Sequence, residues 1–328
     1  MDERMARPGG WVLLRRHRAA WASLWVLAGM ALVALVGPML LPEAVRQTSP
    51  HTYLPPLSRV PVGDGGGTVF YLFGTDINGK GLFYRVLAGA RISLGVGLAA
   101  ACVSLFLGTT YGIVAGYAGG RTDGAMMRLV DMLYSIPRIL FIMIFIAAFD
   151  PSLRAGIDGL RGWASEAGMG WLAGRLGDAI PYSRVFILVL SLGLIEWLTM
   201  ARIVRGQVLV LREQQYVTAA RAMGQSHGKI MRLHLLPNLW TVILTYLTLT
   251  VPAVILDETF LSFLGLGIDD PAASWGSLLK DGAQVINPVD SKWWLLVFPA
   301  TFLAVTLLAL NFLGDGLRDV FDPRSQHS

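Results

Sequence analysis

YVTAARAMGQSHGKIMRLHLLPN, residues Tyr216 to Asn238, sits between two strongly apolar stretches, and the rest of the chain is read outward from it. Gly224 divides it into two short helical pieces. In the first, Ala219, Ala220 and Ala222 form a small-residue face. In the second, Ile230, Leu233, Leu235 and Leu236 begin the next apolar run, and Pro237 is expected to stop the piece. Arg212, Arg221, Lys229 and Arg232 make the segment basic, which assigns it to the cytoplasmic side of a membrane. A small-faced, glycine-jointed pair of helices between two spans is suited to docking into a groove on a partner.

The composition agrees. Of 328 residues, 54% are hydrophobic and 15% charged, where a soluble domain carries about 25% charged residues. Mean hydropathy is +0.55. These values imply an integral membrane protein. The net charge of +5 does not require nucleic acid, because basic residues gather at the ends of apolar segments. Cys102 is the single cysteine and lies in an apolar run, which excludes an intrachain disulfide and a cysteine-based metal site.

Six apolar runs reach about the length of a span: 21–41, 92–117, 127–149, 185–204, 239–257 and 293–312. Arg4, Arg7, Arg15, Arg16 and Arg18 precede the first run, which is too long for a signal-peptide core and lacks an A-x-A site, so it reads as an uncleaved span. The chain then divides into a cytoplasmic segment 1–20, a first transmembrane helix 21–41 and an external segment 42–90 with clusters at Pro55, Pro56 and Gly65 to Gly67. A five-helix core 91–313 follows, with an external insertion 150–182 and a cytoplasmic loop 205–238, and 314–328 is a cytoplasmic tail. Lys and Arg are denser in the segments assigned to the cytoplasm than in those assigned outside, as this orientation requires. In the insertion, Leu153, Ile157, Leu160 and Ala164 recur at helical spacing, as do Leu172, Leu176 and Ile180. Arg154, Arg161 and Arg175 are interleaved with Asp158, Glu166 and Asp178, predicting one or two amphipathic helices on the outer membrane face.

The opening stretch resembles the coupling loop, or EAA loop, of binding-protein-dependent ABC importer permeases. Its pattern A-A-x-x-x-G followed by I-x-x-x-H-x-L-P is filled by Ala219, Ala220, Gly224, Ile230, His234, Leu236 and Pro237, with Thr218 at the usually acidic first position. FGTDINGKGLFYRVLAGARISL resembles the G-T-D-x-x-G-R-D...R-x-x-x-G-A-R-x-S-L stretch of the dipeptide, oligopeptide and nickel branch. Gly74, Thr75, Asp76, Gly79, Arg85, Gly89, Ala90, Arg91, Ser93 and Leu94 match, and Lys80 and Gly81 replace Arg-Asp. Gly116 to Pro137, Glu258 to Gly267 with Ser274 to Gly276, and Phe312 to Arg324 resemble further stretches of that branch in the same order.

The resemblance implies an all-α bundle of six transmembrane helices, the MetI-like ABC importer permease. It also implies that Thr218, Ala219, Ala220, Arg221, Gly224, Ile230, His234 and Pro237 couple the chain to a partner ATPase. ATP and Mg would be bound by that partner, with no cofactor in this chain. The implied partners are a second homologous permease, two ATP-binding subunits, an extracytoplasmic substrate-binding protein and the lipid bilayer. The implied cargo is a di- or oligopeptide, nickel and modified peptides being carried by the same motifs. The place is a bacterial plasma (inner) membrane, crossed several times, with both termini cytoplasmic.

Glu196 lies inside the fourth run, six residues before Arg202 and nine before Arg205. An ionisable group within a span is costly, so it either lines a path or bonds a neighbouring helix. The competing class is an ion-coupled secondary transporter or channel with Glu196 as its coupling carboxylate; such a carrier predicts inverted repeats with paired broken helices, and none is evident. Asp257 and Glu258 are expected at the outer interface. Gly108, Gly112 and Gly116 form a small-residue stripe for close helix packing, the sharper reading being a hinge.

GTDINGKG, Gly74 to Gly81, nearly fits a phosphate-binding loop, with Val69 to Phe73 before it as a possible strand. Gly81 stands where a magnesium-binding hydroxyl is needed, and the topology puts the segment outside. His51, His227 and His234 lack metalloprotease spacing, and the two loop histidines read as capping or contact groups rather than metal ligands. No G-x-S-x-G elbow occurs, and no catalytic constellation assembles.

Overall fold

In the computed structural model the chain is described at residue 15 and over residues 17–62, 67–268, 272–287 and 290–321. Most of the segment 1–20, Gly65 and Gly66, and the end of the tail with Asp322, Pro323 and Arg324 lie outside the described residues. The helices are α1 (Arg18–Leu40), α2 (Glu43–Arg46), α3 (Leu82–Ala118), α4 (Gly120–Tyr134), α5 (Arg138–Glu166), α6 (Gly170–Ala179) and α7 (Ser183–Leu211). They continue as α8 (Gln215–Ala222), α9 (His227–Ile230), α10 (Leu236–Phe263), α11 (Trp275–Gln284) and α12 (Trp294–Phe321). One antiparallel hairpin, β1 (Ser58–Val62) with β2 (Gly67–Tyr71), pairs Val60 with Val69.

Among the described residues, six helical stretches are long and apolar enough to cross a membrane. At 37 residues, α3 is about 55 Å long, well beyond the hydrocarbon thickness of about 30 Å, so it projects past the apolar layer. It is the central post, packing against α1, α7, α10 and α11. The glycine stripe explains its tight contact with α7. A Cβ on Gly112 would lie 2.6 Å from the Ala201 carbonyl oxygen, and one on Gly116 2.8 Å from the Val208 Cβ. The stripe is a packing surface, and hydrogen there lets the two backbones meet.

The third run is not one helix. Pro137 cannot donate a backbone hydrogen bond and pushes the residue before it out of the helical region, so the chain breaks at Ser135–Pro137 between α4 and α5. Beyond the break, α5 runs through Pro151 to Glu166, and α6 folds back on it, burying Ala164. The insertion is therefore a helical hairpin continuous with the span, rather than separate helices laid along a surface. A 3-10 turn at Ile180–Tyr182 leads into α7.

Two ends of the bundle can be told apart. One carries α8 and α9, together with the His17–Asp319 contact of 3.4 Å between the first and last spans. The opposite end carries the β-hairpin, α6 and α11. There Ser274 and Ser277 form a reciprocal capping box at the start of α11, and Trp275 is fully buried with Nε1 donating to the Val86 carbonyl at 3.2 Å. Glu258 is completely buried beside it, accepting from Ser93 at 3.0 Å and Ser262 at 2.8 Å. This corrects the expectation of a water-exposed carboxylate at an interface: hydroxyls of α3 and α10 replace water as its donors.

Candidate functional site

The loop is seated on the bundle by apolar side chains. Val217, Ala220, Ile230 and Leu235 are buried in one cluster with Ile113 of α3, with Met200, Val204 and Val208 of α7, and with Leu239 and Ile243 of α10. Thr218, Ala219, Arg221, Ala222 and Gly224 face outward. The alanine face is thus divided: Ala220 holds the loop to its own chain, and Ala219 and Ala222 are free to meet another.

The joint at Gly224 is a Schellman motif. Its φ is +78°, its N–H donates to the Arg221 carbonyl at 2.9 Å, and the Gln225 N–H reaches the Ala220 carbonyl at 3.2 Å. Pro237 does not stop the second piece. A π-helical turn at Met231–Leu235 carries α9 into α10, and Pro237 follows directly on that widened turn.

Polar contacts tie the loop to the projecting end of α3. Tyr117 Oη lies 2.9 Å from His227 Nδ1, and the Arg221 guanidinium stands 4.9 Å over the Tyr117 ring. Arg212 Nη1 donates to the Gly116 carbonyl at 2.9 Å. His234 Nε2 lies 3.0 Å from Gln225 Oε1, tying the π-helical turn to the residue that follows Gly224. The two loop histidines thus serve internal contacts, and among the described residues no group of three metal-ligating side chains assembles. Thr218, which replaces the family's acidic residue, donates to the Gln215 carbonyl at 2.9 Å within its own turn.

Glu196 belongs to a set of charged rungs between α7 and the broken third span. Arg205 Nε and Nη2 donate to Asp123 Oδ1 and Oδ2 at 2.7 and 2.6 Å, a two-pronged pair. Arg202 Nη2 donates to Asp131 Oδ1 at 2.7 Å. The Arg205 hydrogen bonds hold the Asp123 carboxyl below the usual carboxylate range, against the opposing effect of burial. On the third rung the signs reverse: Arg138, the first residue of α5 after the break, donates through Nη2 to Glu196 Oε1 and pairs with Asp257 of α10. Asp257 is therefore part of an intrachain cluster. Asp123, Asp131 and Arg138 were not singled out from sequence, because their partners lie 82, 71 and 58 residues away. The usable signal was that charges inside apolar runs must find partners.

The Gly74–Gly81 turn is closed to phosphate. Asp76 Oδ1 accepts from the N–H groups of Asn78 and Lys80, both at 2.8 Å, and Asp76 Oδ2 accepts from Arg85 Nη1 at 2.6 Å. Thr75 Oγ1 donates to the His51 carbonyl at 2.7 Å and accepts from Leu54 N–H at 2.8 Å. A phosphate loop needs free amides pointing at an anion. Here a carboxylate of the chain already occupies them.

Comparison with known proteins agrees with this architecture. Residues 108–327 match the family described as binding-protein-dependent transport system inner membrane component, and residues 10–56 match the N-terminal TM domain of oligopeptide transport permease C. The chain is 38% identical over 315 residues to the dipeptide transport system permease protein DppC of Bacillus subtilis, covering 96% of this chain and 84% of that protein. It is 40% identical over 310 residues to the oligopeptide transport system permease protein OppC of Escherichia coli K12, covering 94% and 88%. Among solved structures, an inward-facing conformation of the MetNI methionine ABC transporter shares the fold at a TM-score of 0.53 and 16% identity, over 73% of this chain and 97% of that one.

Proposed function

The chain belongs to the family of binding-protein-dependent transport system inner membrane components, and we propose that it forms half of the membrane path of a di- or oligopeptide importer, driven through the Tyr216–Asn238 loop. It is a multi-pass membrane permease subunit of an ABC importer and not itself an enzyme; ATP hydrolysis belongs to a separate subunit. Family membership displaces the ion-coupled carrier as the reading of Glu196. Peptide is the cargo that the names of the DppC and OppC relatives support.

The observation that carries the coupling role is the division of the loop into a buried and a free face. Val217, Ala220, Ile230 and Leu235 anchor it to α3, α7 and α10, while Thr218, Ala219, Ala222 and the turn at Gly224 stand clear, and Arg221 is exposed with its guanidinium over Tyr117. In this reading the free face sits in a cleft of the partner ATPase, and a displacement of that cleft is handed to the three spans through the apolar seat. His234 and Pro237 shape the joint from inside. ATP and Mg belong to the partner. The assembly comprises this chain, a second homologous permease, two ATP-binding subunits and an extracytoplasmic binding protein. The loop and both described chain ends lie at one end of the bundle, which we assign to the cytoplasm of a bacterial inner membrane.

The test is to express the chain with its genomic neighbours, purify it in mild detergent, identify what accompanies it, and measure ATP-dependent peptide uptake in proteoliposomes. A co-purifying ATPase and second permease, with uptake that requires ATP, are expected. Gly224→Pro, which cannot adopt φ +78°, should leave the assembly and its ATP hydrolysis in place while abolishing uptake. A chain that purifies alone and transports without ATP refutes the proposal.

A further inference from the structure

The Arg138 cluster sets three charged side chains on the outside of the bundle. Its side chains are 39% (Arg138), 29% (Asp257) and 13% (Glu196) exposed on a flank of the subunit formed by the start of α5, the middle of α7 and α10. The neighbouring residues Ile136, Ile139, Leu256 and Phe260 are exposed and apolar. A guanidinium and two carboxylates facing hydrocarbon are strongly disfavoured, so this flank turns toward protein or water.

Two cavities meet at the cluster. One, of about 290 Å³, is bounded by Pro137, Arg138, Glu196 and Thr199 at the break between α4 and α5. The other, of about 260 Å³, is bounded by Pro137, Arg138, Ile139, Asp257 and Phe260. Arg138 is common to both walls, with one carboxylate on either side. The cluster has one cation and two carboxylates. Glu258, next in sequence to Asp257, does not add to it, being turned to Ser93 and Ser262 on the other side of α10.

From this placement we propose that the Arg138 flank lines the aqueous path through the assembled importer, and that the carboxylate in excess of Arg138 receives the cationic amino terminus of the passing peptide. The second clause rests on the peptide reading given above; the first stands on burial and charge alone. A primary ammonium entering either cavity completes the pairing of one carboxylate while Arg138 keeps the other. The subsite recognises a feature that every unblocked peptide carries, whatever its side chains, and ignores sequence.

The experiment places a cysteine beside the cluster, Ile139→Cys, in a Cys102→Ser background within the complete transporter and its binding protein. The probes are a cationic thiol reagent, (2-trimethylammonioethyl) methanethiosulfonate, and its anionic counterpart, (2-sulfonatoethyl) methanethiosulfonate. Both should react, since the flank is wet. The cationic-to-anionic rate ratio should fall about tenfold when Asp257→Asn removes one charge, and again with Glu196→Gln. Trialanine should slow the cationic reagent, and N-acetyl-trialanine should not. Reaction only with membrane-permeant N-ethylmaleimide, or a rate ratio unchanged by either substitution, overturns the proposal. Equal protection by both peptides overturns the ammonium subsite. A charge-dependent ratio with no protection by either peptide overturns the ammonium subsite and leaves the water-facing flank standing, while the peptide cargo itself is decided by the uptake assay.

Discussion

Ile230→Ala tests whether the loop moves the spans through its apolar seat. Ile230 is fully buried where the loop meets α3, α7 and α10, and it is anchored by α9, a helix of only four residues. That short helix is the first turn of the one that runs on into α10, with no helical turn before it, so the apolar seat fixes where that end of the helix lies. Truncating a buried isoleucine to alanine costs roughly 2–5 kcal/mol, the larger values applying where the cavity cannot collapse. At 1.4 kcal/mol per factor of ten, the equilibrium between seated and released loop shifts by about 30-fold at the lower bound. Hydrogen exchange on the assembled transporter should show that loss of protection at the amides of Gln225 to Ile230. It should leave the core of α3 unchanged, where Ala100 and Ala101 are buried. Peptide taken up per ATP hydrolysed should drop by at least the same order, with hydrolysis retained. If protection falls and the uptake ratio does not, the seat is not the route of transmission. If protection does not fall, the seat does not hold the loop as its burial implies.

Two further expectations follow from packing and charge. Gly112→Ala forces a Cβ against the Ala201 carbonyl and should cost about 1–3 kcal/mol of thermal stability in detergent, while Gly95→Ala, with open space around it, should be neutral or slightly stabilising; equal effects would remove the stripe's packing role. Asp123, whose carboxyl is held below its ordinary range by Arg205, contributes stability that is fully present above the unfolded-state carboxylate pKa and is lost as pH falls through the lower folded value. Melting curves against pH should therefore separate wild type from Asp123→Asn at neutral pH and bring them together in acid, and a gap that persists in acid would assign the effect to something other than this pair.

The spans and the loop were legible in the sequence because their signals are local. Apolar runs, the basic loop and the Gly224 joint each lie within a few turns of helix. Among the described residues five of the six runs fall on one apolar helix each and a Schellman turn forms at Gly224, while the third run is broken at Ser135–Pro137. Breaks and joints were less legible. Pro137 and Pro237 are the same residue type at the same kind of junction, yet one interrupts the helix and the other does not. At Pro137 the preceding Ser135–Ile136 leaves the helical path, whereas at Pro237 the π-helical turn widens beforehand and the proline enters the first turn of α10. That difference depends on what packs against each turn: Leu235 and Leu239 are buried on either side of Pro237, while Ile136 is exposed. A proline marks where a helix can stop, and tertiary burial decides whether it does.

The site was half legible for a related reason. A charge within an apolar run is visible as a cost, and Glu196 was found that way; the group that offsets the cost is a long-range contact with no local signature. Arg138 follows a proline and opens a helix, a position that by itself reads as a span boundary, and Asp257 reads as the end of the fifth run. Only the antiparallel packing of α7 against α4 and α5 sets Glu196 opposite Arg138, with Arg202 and Arg205 opposite Asp131 and Asp123. The order of the rungs is what antiparallel helices require, since partners recede along one helix as they advance along the other. The two Arg–Asp rungs nearer the loop carry no net charge, and the third carries one carboxylate too many. A bundle that needed only cohesion would have matched the third rung as it matched the first two. The excess at Asp257 can be met by a cation from outside this chain, which is the physical ground for looking for cargo there.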